Sequence, residues 1–156
     1  MPDVQTDARQ ELLELLEQQV GLYEQLAELA SRQRRLIDDG ATEGLLELLA
    51  QRQTLVDQLG ALTRRLEPFR RDWPAMSRRL SVPQRLRSER LLGRANALLE
   101  TIMQTDEHDS RTLARHKQQA SRALRGARER ATAVAAYGET ATTPRAPAYV
   151  DSLDAS

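Results

Sequence analysis

The chain has 156 residues and a formal net charge of zero, which fits about one domain and argues against a polyelectrolyte that coats nucleic acid. It has no cysteine, so disulfides, thiol nucleophiles and cysteine-held metals are excluded. Leucine is abundant, β-branched residues are few and there are only five aromatics, the profile of helices that pack along stripes.

Charge is unevenly placed. Residues 1–63 hold 12 acids and 5 bases, residues 64–94 hold 3 acids and 10 arginines, and the remainder holds 8 of each. Every base except Lys117 is arginine. The opening "MPDVQTDARQELLELL" is acidic where a signal peptide would be basic. No apolar run approaches the roughly 20 residues that span a bilayer. The expectation is a cytoplasmic protein without membrane insertion.

Helix one is expected over 7–38, with Asp7 and Gln10 at capping-box spacing. Leu12, Leu15, Leu22, Leu26, Leu29 and Leu36 form one row with a missing beat at Gln19. Leu13, Leu16, Val20, Tyr23, Ala27, Ala30 and Ile37 form a second row beside it. Two adjacent rows make a face broad enough for two partner helices. "DDGAT" ends the helix, with Gly40 as a left-handed cap and Thr42 as the next N-cap.

Helix two is expected over 42–67, reading Leu45, Leu48, Leu55, Leu59, Leu62 and Leu66 around an interrupting Arg52. The short connection folds it back antiparallel on helix one. Pro68, Pro74 and Pro83 then break the pattern. Helix three is expected over 82–137, from an N-cap at Ser81 with Gln84 completing a capping box, to a stop at Gly138.

Its early core reads Leu92, Ala95, Leu99 and Ile102, after which Asp106 and Asp109 fall where apolar residues belong. At about 1.5 Å per residue helix three measures roughly 80 Å against roughly 50 Å for helix one. The expected fold is therefore all-α: an antiparallel three-helix bundle or coiled coil, with the third helix overhanging it. Leu26, Leu29, Leu48, Leu55, Leu59 and Leu99 are its expected core. The expected domain is 1–138. The Thr-, Ala- and Pro-rich tail 139–156 reads as disordered.

Candidate sites are few. "DEHD" at 106–109 lacks the Glu-x-x-His spacing of helical di-metal sites, because Thr105 stands three before His108. His116 lies two turns from Asp109, too far to share an ion. The motif reads as a solvated polar turn ending the buried seam, and no metal or cofactor is expected. Two histidines, without a glycine-rich phosphate loop, assemble no nucleophile and base, so no enzyme is expected.

Segment 64–94 mixes ten arginines with Phe69 and Trp73, a composition also found in single-strand nucleic-acid grooves. The two aromatics continue the spacing of helix two, however. They are expected to plug the bundle end while the arginines face acidic helix one, leaving no nucleic-acid site.

The remaining candidate is "QASRALRGARERATAVAAYG", residues 119–138. At about 100° per residue, Leu113, Ala120, Leu124, Ala127 and Ala131 fall within about 40° of one line, with Val134 at the far end. Arg111, Arg115, Arg122, Arg125 and Glu129 occupy the other side. Small residues allow another helix to approach closely, and arginine stems can fold over its edges. A solvated alanine helix held by propensity, or homodimerisation through the same stripe, also accounts for the pattern.

The residues 11–66, "ELLELLEQQVGLYEQLAELASRQRRLIDDGATEGLLELLAQRQTLVDQLGALTRRL", resemble the FlgN-type flagellar export chaperones. The shared features are a Leu/Glu first helix with an internal tyrosine, a tight turn into a second helix of the same style, and a long third helix ending at "AYG". The resemblance implies a non-enzymatic cytoplasmic protein that holds hook–filament junction proteins by their helix-forming C-terminal ends. It also implies delivery to the cytoplasmic domain of the export gate.

On that resemblance the late third helix binds cargo (Leu113, Ala120, Leu124, Ala127, Ala131 and Val134) and Tyr137 contacts the gate. The arginine-rich link departs from the family pattern. A structural coiled coil, an adaptor of a secretion apparatus and a nucleic-acid-binding helical module remain alternatives.

Overall fold

The computed structural model describes residues 4–142, and the side chains of 7–137. Four helices follow in order: α1 Val4–Asp38, α2 Leu45–Arg71, α3 Trp73–Arg79 and α4 Val82–Thr142. The expected all-α fold is observed, with no strand among the described residues. The chain divides into two compact units, Met1–Ser110 and Arg111–Ser156.

In the first unit, the two rows of α1 together meet α2, the α3 region and α4. Leu12, Leu15 and Leu16 pack with Leu62 and Leu66 of α2 and with Met76 and Leu80 around α3. Further along, Leu26 and Leu29 meet Leu48, Leu55 and Leu59 of α2 together with Ile102 of α4. Val20 meets Ala95 and Leu98 of α4. The contacts run in opposite order along α1 and α2 and in the same order along α1 and α4, so consecutive long helices are antiparallel.

The turn between α1 and α2 uses glycine where φ must be positive. Gly40 has φ 67°, and Gly40 and Ala41 donate to the carbonyls of Ile37 and Leu36 at 3.1 and 2.8 Å. These are the two bonds of a Schellman cap, so the left-handed cap at Gly40 is observed. The N-cap of α2 is Gly44, with φ 80°, rather than Thr42. Thr42 instead offers its carbonyl to the amide of Leu45 at 3.2 Å, inside the turn.

Other boundaries move for local reasons. α1 begins at Val4, so Asp7 lies in its first turn, where it complements the helix dipole rather than capping. Pro68 sits inside α2, which continues to Arg71. A proline one turn from a helix end removes one hydrogen bond from an exposed site, and buried Leu66 with half-buried Phe69 holds the turn.

The expected break then contains α3, with Pro74 in its first turn, where a missing N–H costs nothing, and Met76 buried. The capping box of α4 forms as expected: Ser81 N donates to Gln84 Oε1 at 2.9 Å, and Gln84 N donates to Ser81 Oγ at 3.2 Å. α4 passes through Gly138 to Thr142 instead of stopping there. Most of the tail, residues 143–156, lies outside the described residues.

Five of the six expected core leucines are buried. Leu99 is not: it is 38 % exposed, while Leu98 is 8 % exposed and faces Val20. Steps of three then four from Ala95 reach Leu98 and Ile102, whereas four then three would have used Leu99. Replacing Leu98 with alanine is expected to cost about 2–4 kcal/mol, and Leu99→Ala under about 1 kcal/mol. Paired denaturant melts check this, and equal losses would contradict the observed register.

Candidate binding surface on the final helix

Four polar residues that interrupt the leucine rows come together in the first unit. Gln33 of α1 is buried, and its Nε2 donates to Asp109 Oδ2 of α4 at 3.1 Å. Arg52 of α2 donates through Nη1 to Gln33 Oε1 at 2.8 Å. Its guanidinium also grips Asp106 of α4 in a two-pronged bond at 2.8 and 2.9 Å. Beside them His108 Nε2 lies 3.1 Å from Asp38 Oδ1.

The expectation of a solvated polar turn at 106–109 is thus corrected. Asp109 is 2 % exposed, and one of its oxygens, Oδ1, accepts no hydrogen bond among the described residues. A fixed layer of side chains joins three helices here. It occupies the seam because Arg52 and Gln33 present complementary groups at the same level. The Arg52 interruption in α2 and the two aspartates of α4 were signals in the sequence, while Gln33, which fills the gap between Leu29 and Leu36 in the first row of α1, was not read as one.

Burial pushes the Asp109 carboxyl above its ordinary range, helped by the charges of Asp106 and Asp38 and opposed by His108 and the Gln33 hydrogen bond. Arg52 is shifted upward, chiefly by its hydrogen bond to Asp106. A carboxyl that holds its proton more tightly in the fold than in the open chain weakens the fold as it ionises. Its stabilising contribution is therefore present below the ordinary carboxylate value of 3.8 and lost as pH rises above it. Asp109→Asn removes that ionisation, so the variant should gain stability relative to the native chain as pH rises. Melts across the range from mildly acidic to neutral check the direction. A gap that narrows with rising pH would contradict it.

The arginine-rich link behaves as its spacing suggests. Arg65 pairs with Glu11 at 3.8 Å, Arg94 with Glu24 at 3.7 Å, and Arg87 with Glu17. Phe69 and Trp73 pack against the leucine cluster at that end of the first unit. Arg9 also donates to the carbonyl of Arg79 at 3.0 Å, tying the start of α1 to the end of α3.

In the second unit, residues 111–142 continue as α-helix. The sequence-identified stripe lies along it, and every member is solvent-exposed: Ala120, Ala127 and Ala131 with Leu113, Leu124 and Val134. Their large members are 48, 56 and 72 % exposed. Tyr137 is 81 % exposed. It sits about 120° around the helix from Leu113 at about 100° per residue. The stripe and Tyr137 are therefore both open to solvent.

No group of histidine, aspartate or glutamate able to hold a metal ion occurs among the described residues. Likewise, no described helix is long and apolar enough to cross a membrane. What the described residues present is an all-helical protein with a leucine-cored bundle and an exposed apolar line on α4.

The family model for the FlgN protein matches residues 1–145, and the chain belongs to that family, which comprises flagellar export chaperones. A search of curated proteins and a search of solved structures found no match.

Proposed function

We propose that the protein holds hook–filament junction proteins in the cytoplasm and delivers them to the cytoplasmic domain of the flagellar export gate. It acts as a non-enzymatic, cofactor-free carrier. Leu113, Ala120, Leu124, Ala127, Ala131 and Val134 take the helix-forming C-terminal segment of the cargo, and Tyr137 contacts the gate.

The observation that carries this reading is the exposed stripe on α4, in a chain of the export-chaperone family. Leu113, Leu124 and Val134, with the alanines between them, leave an apolar surface along α4 that a partner helix can cover. If cargo covers ~350 Å² of apolar surface, the gross gain is about 9 kcal/mol at about 25 cal/mol/Å². Ordering a disordered cargo segment takes back about 2–5 kcal/mol. The net is a modest, reversible grip, which suits a carrier that must let go. The arginines of 64–94 serve the bundle in this reading, since three of them pair with acids of α1.

The expected outcome of Leu124→Asp combined with Ala127→Asp is loss of cargo co-purification with helicity unchanged by circular dichroism. Tyr137→Ala is expected to leave cargo binding intact and to reduce export of that cargo. Co-purification that survives both aspartates would remove the stripe from the mechanism.

A further inference from the structure

The charges around the stripe specify what can lie on it. Between residues 111 and 137 the chain carries seven bases (Arg111, Arg115, Lys117, Arg122, Arg125, Arg128 and Arg130) and one acid, Glu129. A segment of net charge six positive thus stands in a chain whose total is zero.

Placement sharpens the point. At about 100° per residue from Leu113, Lys117 and Arg128 lie about 40° and 60° to one side. Arg130 lies about 100° to the other side, while Glu129 lies about 160° away, behind the helix. All three flanking bases are exposed. Every full charge that borders the apolar line is therefore positive, and the acid stands behind it. Lys117 and Arg128 share one edge, three helical turns or about 16 Å apart at about 1.5 Å per residue.

Resting on the reading of the stripe as the binding surface, we infer that its occupant is an amphipathic helix with carboxylates along its edges. At least one carboxylate falls within reach of Lys117 or Arg128. The alanines let the partner backbone approach closely, and the basic stems fold over its flanks while their charged ends meet the acids.

A second copy of this chain is the wrong occupant. Stripe against stripe would set one positive face on another, and like charges across an interface oppose pairing. The acidic α1 of another copy is no substitute, because its apolar rows are buried and its Glu11, Glu17 and Glu24 already pair with arginines.

The test uses the full chain and two synthetic helical peptides of about 22 residues, the length from Leu113 to Val134. Both peptides carry the same Leu/Ala face; one has glutamate along its edges and the other lysine. Fluorescence anisotropy should show binding of the glutamate peptide and at least tenfold weaker binding of the lysine peptide. Affinity for the glutamate peptide should fall as salt rises from about 50 to 300 mM.

Lys117→Glu with Arg128→Glu should weaken the glutamate peptide about tenfold and strengthen the lysine peptide. That reciprocal gain also shows that the variant is folded. Leu124→Asp should weaken both peptides.

Equal binding of the two peptides, or charge reversal that changes neither, overturns the acidic partner. If Leu124→Asp still abolishes binding in that case, the stripe stands as the site and only its charge preference falls. If Leu124→Asp changes nothing, the site itself falls. Failure of the glutamate peptide to bind also overturns the inference. So does sedimentation with vesicles of anionic phospholipid as strong as peptide binding, or a dimer in analytical ultracentrifugation that Leu124→Asp dissolves.

Discussion

Simultaneous packing of α1 against two neighbours is the constraint on which the bundle depends. A helix with one apolar row satisfies one partner and leaves the pair open on its far side. α1 carries two adjacent rows, so Leu12, Leu15, Leu26 and Leu29 reach α2 while Val20 reaches Ala95 and Leu98 of α4. The short α3 caps the arrangement where Met76 and Leu80 join the cluster around Leu66. Burial along these rows supplies the stabilisation; exposed pairs such as Arg65–Glu11 add little individually.

The polar layer answers a different requirement. Leucine seams tolerate sliding, because one leucine replaces another at nearly equal energy. An arginine that must meet Gln33 and Asp106 at the same time has one satisfactory position. Moving α2 by one turn would separate Arg52 from Gln33 and Asp106, and moving α4 would separate buried Asp109 from Gln33. Such a layer trades some stability for a single alignment of three helices.

Electrostatics divides the chain by task. In the first unit acids of α1 and arginines from the link and early α4 neutralise each other across helix pairs. In residues 111–137 the bases outnumber the acids seven to one, and Lys117, Arg128 and Arg130 border an exposed apolar line. A helix of that composition can remain soluble alone and still bind a complementary surface, because arginine and lysine heads stay hydrated while their stems extend the apolar face.

Much of this was determined by the sequence alone. The leucine rows identify the helices, Gly40 and the Ser81–Gln84 box mark two ends, and the alanine-leucine line with its basic flanks locates the stripe. These are local patterns, set by backbone sterics and by the helical repeat, and they hold whatever the neighbours do. Tertiary structure alone chose Leu98 over Leu99. The two adjacent leucines fit the three-four spacing equally, and only the position of Val20 on α1 distinguishes them. Likewise Asp109 looks solvated in any one-helix view. Its burial exists because Gln33 and Arg52, 76 and 57 residues away in sequence, arrive at the same level and give two aspartates a place inside the seam.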